Sequence, residues 1–344
     1  MAELPKLSGI RRRFQAAGLS ISLAFGLILA SCGTRPTVPE KRQVKVAVIP
    51  YLTFAPLFIA QDMGFFSAQG LEVEFLTLKS SAEAIPSLDT GKLDVVGGTL
   101  TLGVFNAIAR GARIRIVADK GYVDPRQGDS HAFLARKDLF PRLLPVRREN
   151  WRGLNVAVNP VATSGYTLEK LLQPAGLSLE DLNISNLPDS VLPEAFKKKI
   201  VDIAEANDPW LHQILEEYTA VIILEPRKVV PGLQKAVLYY GPNLREKDPR
   251  AGERFMTAYL EGVRECLKGK SPRLLDIVGR HTGLNRDYLE KTIWPAFQPN
   301  GQPNLESVTD FVAWGIRKGH IQTPLALDQI WDGRFIKAAA PRQP

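Results

Sequence analysis

Cysteine is scarce in this chain: two among 344 residues, Cys32 and Cys266. No disulfide framework can be built from them, so stability must come from packing. The four histidines, at 131, 212, 281 and 320, show no metal-type spacing among themselves or with Cys266. No metal site and no cofactor are expected. Basic residues nowhere interleave with aromatics in a run, which removes nucleic acid as a partner. Ala16–Ala30 is apolar and uncharged but spans only fifteen residues, roughly 22 Å of helix against a bilayer core of about 30 Å. No repeat of solenoid length occurs. Gly269-Lys270-Ser271 imitates the end of a phosphate loop, yet Arg264 stands where its first glycine must be and a helical pattern precedes it. Neither a nucleophile elbow nor a paired acid motif stands out, so no enzymatic activity is expected.

What is present begins with a leader. Arg11, Arg12 and Arg13 precede the apolar segment, and small residues follow it. That order reads as a secretory signal over residues 1–31. Leu29-Ala30-Ser31-Cys32 resembles the bacterial lipobox. The resemblance implies that Cys32 is diacylated, becomes the mature N-terminus and tethers the protein to the outer face of the cytoplasmic membrane; an ordinary cleaved signal and a short anchor are the competing readings. Cys266 is then left without a bridging partner. Lys6, Arg11, Arg12 and Arg13 against Glu3 give the leader a net +3, which leaves +5 of the chain's +8. This mild positive charge suits anionic headgroups as well as an anionic ligand. Residues 32–43, polar and carrying two prolines, read as a flexible tether.

From Val44 onward, β-branched runs alternate with helical patterns. Strands are expected at Val44–Ile49, Leu71–Leu78, Leu93–Val96 and Ile114–Ala118, with helices after Pro56, after Ser80 and over Thr99–Ala109. Pro86 is expected to kink the second of these. The pattern restarts at Ala132–Arg136 and runs through Asn155–Asn159, Ile184–Leu187, Asp202–Ala206, Val221–Leu224 and Ala236–Tyr240. Beyond Asp248 the chain reads as helical. The expectation is an α/β protein of two lobes, each an open α/β sheet, with residues 44–125 plus 243–344 as lobe 1 and 126–242 as lobe 2. The C-terminal helices would pack on lobe 1, and crossings near Tyr122–His131 and Tyr239–Leu244 would border a cleft.

Several motifs carry a family likeness. Val46-Ala47-Val48-Ile49-Pro50, Ala55-Pro56-Leu57-Phe58-Ile59-Ala60, Gly64-Phe65-Phe66, Gly70-Leu71-Glu72-Val73-Glu74 and Gly91-Lys92-Leu93-Asp94-Val95 follow one another, with Trp151-Arg152-Gly153-Leu154 and Ile330-Trp331-Asp332 later. Together they resemble the substrate-binding proteins of ABC importers in the sulfonate, nitrate, thiamine-precursor and riboflavin group. Lys197-Lys198-Lys199 departs from that pattern, which usually has a glycine there. The resemblance implies the two-lobed periplasmic binding protein type II fold. It also implies a small-molecule ligand, a membrane permease with a separate ATPase subunit as partners, and a monomer that closes like a hinge.

In α/β lobes ligands sit beyond the carboxyl ends of the strands. That rule selects Tyr51, Thr53, Phe54, Ser81, Gly98, Thr99 and Tyr122 in the first lobe. In the second it selects Thr163, Ser164, Gly165, Tyr166, Asn207, Asp208 and Trp210. Asp208 before Pro209 also suits an N-cap, a role that leaves one carboxylate oxygen free for a ligand. Five of these residues are aromatic, and each alone serves packing as readily as binding. Together they point to a flat heterocycle such as riboflavin or a thiamine-precursor pyrimidine. A sulfonate or nitrate binder is the alternative, and a pyrimidine-synthase-like enzyme of the same fold, whose cysteine-rich motif has no counterpart here, is the second.

Overall fold

The computed structural model describes residues 41–78 and 81–340. The expected leader, Cys32 and most of the tether lie outside the described residues, as does Ser80. Two mixed five-stranded sheets organise the chain. The first contains β1 (Arg42–Val48), β2 (Leu71–Thr77), β3 (Val95–Thr99), β4 (Arg115–Tyr122) and β10 (Gln234–Tyr240), in the order β2-β1-β3-β10-β4. The second contains β5 (His131–Arg136), β6 (Asn155–Ala157), β7 (Asn183–Ser185), β8 (Ile203–Asn207) and β9 (Ala220–Leu224), in the order β7-β6-β8-β5-β9. In each sheet, β-branched strands joined by helical crossovers pair in parallel, β1 with β2 and β3, β6 with β7 and β8. One strand in each sheet runs against its neighbours: β10, the last of the first sheet, against β3 and β4, and β5, the first of the second, against β8 and β9.

One expectation needs correction. Ala236–Tyr240 does not complete the second α/β unit; β10 lies in the middle of the first sheet, antiparallel to β3 and β4. The crossings between sheets are therefore 123–130 and 225–233, and a boundary at residue 242 falls too late. All seven residues of β10 are buried, as a central strand requires. Its apolar run does not reveal which sheet receives it. Pro86 causes no kink either, because a turn of 3₁₀ helix over Ser81–Ala84 precedes the helix Ile85–Asp89 and puts Pro86 in its first turn.

Eight helices position the features below: α1 (Ala55–Asp62), α2 (Leu102–Ala109), α3 (Thr163–Leu172), α4 (Trp210–Glu216), α5 (Pro249–Leu267), α6 (Pro272–Thr282), α7 (Arg286–Lys291) and α8 (Leu305–Arg317). Four of the C-terminal helices start on side-chain caps, with Asp248, Ser271, Asn285 and Asn304 accepting from the amides of Ala251, Leu274, Tyr288 and Ser307. Helix α5 packs on α1 so closely that a Cβ on Gly262 would stand 2.1 Å from the Pro56 carbonyl oxygen. Asp119, fully buried in β4, ties the first half together. It accepts from Gln234 Nε2 at 2.7 Å and from the Gly121 and Gln298 amides, while its carbonyl accepts from the Tyr259 hydroxyl.

A single apolar cluster continues from one half to the other. Phe311 and Trp314 of α8 meet Tyr166 of α3 with ring centroids 5.9 and 5.5 Å away, and Phe105 of α2 meets Phe311 at 6.1 Å. Such rings stabilise by about 1.5–3 kcal/mol each through burial. The Leu102 amide donates to the Val161 carbonyl along the same seam.

Replacing Gly262 with alanine tests the α1–α5 contact. Because the obstacle is backbone, the helices must separate. The expected loss is about 1–3 kcal/mol in urea unfolding, and an unchanged midpoint refutes the contact.

Candidate functional site

Between the two sheets lies a cavity of about 410 Å³, lined from the first half by Tyr51, Thr53, Thr99 and Lys235 and from the second by Ser164, Asp189, Glu205 and Asn207. This volume falls within the usual range of small-molecule sites, about 300–1,000 Å³. Tyr51 and Thr53 follow β1, Thr99 ends β3, Ser164 opens α3 after β6, and Asn207 ends β8. The carboxyl-end rule thus brings five of its residues to one wall or another.

Other selected residues sit elsewhere. Phe54 is core: it stacks on Phe58 and lies 3.6 Å beneath the Lys120 ammonium. A Cβ on Gly97 would collide with its ring at 2.5 Å, so this glycine makes room for it. Gly98 pairs within the sheet against Val237. Tyr122 donates to Asp124 and borders a different cavity, with Lys270 and Trp294. Thr163 is buried and offers its carbonyl to Thr167. The Gly165 amide is taken by the Asn159 carbonyl, and the backbone of Pro160 crowds its α-carbon. Tyr166 turns away into the apolar seam. Trp210 stands at the rim, edge-on to Tyr51 with centroids 5.5 Å apart. The side chain of Ser81 lies outside the described residues.

Asp208 corrects another expectation. It is 1% exposed, and neither oxygen is free. Tyr288 Oη donates to Oδ1 at 2.6 Å and Thr292 Oγ1 to Oδ2 at 3.1 Å. Burial raises its pKa above the usual carboxylate value while these hydroxyls oppose the rise.

The charged walls were not selected from the sequence. Asp189 follows β7, whose carboxyl end obeys the same rule; the signal was in Asn186-Leu187-Pro188-Asp189. Glu205 points into the cavity from inside β8, and Lys235 enters from β10, whose amino end borders the cleft because the strand runs backwards. Lys235 Nζ donates to Asn207 Oδ1 at 2.7 Å, and Asn207 Nδ2 donates to Asp189 Oδ2 at 2.7 Å. This chain of bonds crosses from one half to the other. Burial pushes Asp189 up to about 6, with Glu205 adding repulsion and Asn207 opposing. Burial lowers Lys235, while Glu205, Asp129 and Asp189 hold it up. Behind Glu205, His131 Nδ1 lies 2.8 Å from Asp129 and Nε2 3.6 Å from Glu205. Among the described residues no cluster of His, Cys, Asp and Glu is arranged to hold a metal ion, and no helix is long and apolar enough to cross a membrane.

Asp189 fixes a pH dependence. A raised carboxyl pKa means that the folded state binds more protons than the unfolded chain between about pH 4 and 6, so stability falls as pH rises through that window. Asp119, likewise pushed up to about 6, acts in the same direction. In Asp189→Asn the fall measured by urea titration should become shallower; an unchanged slope contradicts the assignment.

Comparison with known proteins adds the following. The model of the NMT1-like family matches residues 37–273. No curated protein matches the sequence. Among solved structures, the ligand-binding component of an ABC-type import system from Staphylococcus aureus, with zinc bound, superposes with a TM-score of 0.72 at 14% identity, covering 87% of this chain and 99% of that one. The nitrate-binding protein NrtA from Synechocystis PCC 6803 gives 0.69 at 16% identity, with 88% and 89% covered. The alkanesulfonate-binding protein SsuA from Xanthomonas axonopodis pv. citri, bound to MOPS, gives 0.67 at 13% identity, with 85% and 99% covered. The fold is therefore that of periplasmic binding proteins of type II.

Proposed function

The chain belongs to the NMT1-like family, and from that premise we propose that it is the extracytoplasmic solute-binding protein of an ABC importer. It is a monomer, held at the membrane through a lipidated Cys32, that captures a small aromatic heterocycle by hinge closure and hands it to a permease served by a separate ATPase. It performs no turnover. Each half moves as a lobe, with the boundary in the crossings 123–130 and 225–233. The observation that carries this reading is the cavity of about 410 Å³ lined from both halves.

The charge balance of the cavity supports the ligand class. Among the described lining residues the buried or half-buried carboxylates Asp189 and Glu205, with the exposed Glu83, face the ammonium of Lys235, whose Nζ is already bonded to Asn207; the buried Lys120 ammonium stands behind Thr53, bonded to its hydroxyl. Buried carboxylates reward N–H donors and penalise a second anion. A pyrimidine or flavin presents such donors on a flat ring that Tyr51 can cover. A sulfonate or nitrate is the second reading, and the buried Lys235 is the observation that favours it.

Thermal unfolding of the purified protein with pyrimidines, riboflavin, taurine and nitrate separates these readings. A ligand at 100 times its Kd adds about 2.7 kcal/mol, several degrees in Tm. Stabilisation by a heterocycle, lost by about tenfold in affinity in Tyr51→Ala through removal of ring contact, is the expected result. Stabilisation by taurine or nitrate alone, abolished in Lys235→Met, replaces the heterocycle with an anion. Consumption of the ligand overturns the binding role.

A further inference from the structure

Two buried lysines stand on the first-half side of the cavity, and the sheet is irregular at both. Along the β10–β4 pair, Gln234 faces Tyr122, Ala236 faces Gly121 and Val237 faces Asp119. Lys235 is skipped on one strand and Lys120 on the other, so each is the extra residue of a bulge, a device that re-aims side chains. Lys235 reaches the cavity itself. Lys120 stops one side chain short of it, at Thr53.

Among the described residues the Lys120 Nζ makes one hydrogen bond, to Thr53 Oγ1 at 2.9 Å, and it lies 3.6 Å from the centroid of the Phe54 ring. The strands leave space for it. A Cβ on Gly97 would stand 3.0 Å from Lys120 Cδ as well as against the Phe54 ring. Asp119, its neighbour in β4, already accepts from Gln234 and from the amides of Gly121 and Gln298. Burial pushes the Lys120 pKa down, Asp119 opposes the fall and Lys235 adds to it. The aromatic face beneath the nitrogen favours the cation.

An ammonium has donors and no lone pair, so in this bond the Thr53 oxygen can only accept. The Thr53 methyl lies against Gly121, where a Cβ would stand 3.4 Å from it, and this contact restricts rotation of the side chain. Its O–H is left to point elsewhere. Among the described residues nothing accepts that proton, and Thr53 lines the cavity.

We propose that Lys120 is a positioning residue: it makes Thr53 an obligate hydrogen-bond donor into the cavity, so that the ligand turns an acceptor to this wall, opposite Asp189 and Glu205. The inference deepens the reading of this cavity as the binding site and rests on it.

Neutron diffraction from deuterium-exchanged crystals, with nothing added to the cavity, reads the donor directly. Three deuterons on Lys120 Nζ and the Thr53 deuteron turned into the cavity are expected. A Thr53 deuteron aimed at Nζ overturns the proposal. Calorimetry then follows whichever of the pyrimidines, riboflavin, taurine or nitrate raises Tm. Thr53→Val should weaken its binding about three- to tenfold through loss of one hydrogen bond, while Thr53→Ser, which keeps the hydroxyl, stays within about twofold. Lys120→Met should weaken binding in the parent, yet change it by less than about twofold in the Thr53→Val background, because its effect passes through that hydroxyl. Undiminished binding in Thr53→Val, or equal losses from Lys120→Met in both backgrounds, overturns the positioning role. If none of these compounds binds, the ligand reading fails, and the deuteron positions still decide this one.

Discussion

The return of the chain through Gln234–Tyr240 into the middle of the first sheet is the constraint on which the rest depends. It forces two crossings between the sheets and so creates a cleft. It brings Gln234 to the buried carboxylate of Asp119, joining β4 and β10 to the 298–304 segment, whose Gln298 and Asn304 amides bond to Asp119 and Gln234. Because the strand runs antiparallel, its amino end reaches the cleft and delivers Lys235, the ammonium that faces the carboxylates of the second half. A parallel strand at the same place would have presented its other end.

The parallel parts of both sheets were legible because buried parallel strands announce themselves as β-branched runs followed by helical periodicity. Val44–Ile49 and Leu71–Leu78 correspond closely to β1 and β2. The carboxyl-end rule, which follows from those strands alone, selected Tyr51, Thr53, Thr99, Ser164 and Asn207, which line the cavity between the sheets. It failed where direction or orientation decides. An apolar segment looks alike read either way, so the sheet and sense of β10 were invisible, and Lys235 with them. The ring of Tyr166 occupies a helix start as expected, yet its direction depends on Phe311 and Trp314, residues 145 and 148 positions away. The partners of Asp208, Tyr288 and Thr292, lie 80 and 84 positions along the chain.

The site divides its labour between the halves. The second contributes Asp189 and Glu205, with Asp129 and His131 behind them; the first contributes the base, Lys235, and the exposed carboxylate of Glu83. Charge complementarity across a low-dielectric gap draws the halves together while leaving each strained alone, since buried charge without its counterpart is costly. Aromatic contacts follow another logic. Phe105, Phe311, Trp314 and Tyr166 weld one edge, and Tyr51 with Trp210 guard the rim.

Each end of the Asn207 carboxamide is engaged once: the oxygen accepts from Lys235 and the nitrogen donates to Asp189, which leaves one lone pair and one N–H. A molecule entering this cavity would meet an amine already seated on the carboxamide oxygen, and would have to displace or share it.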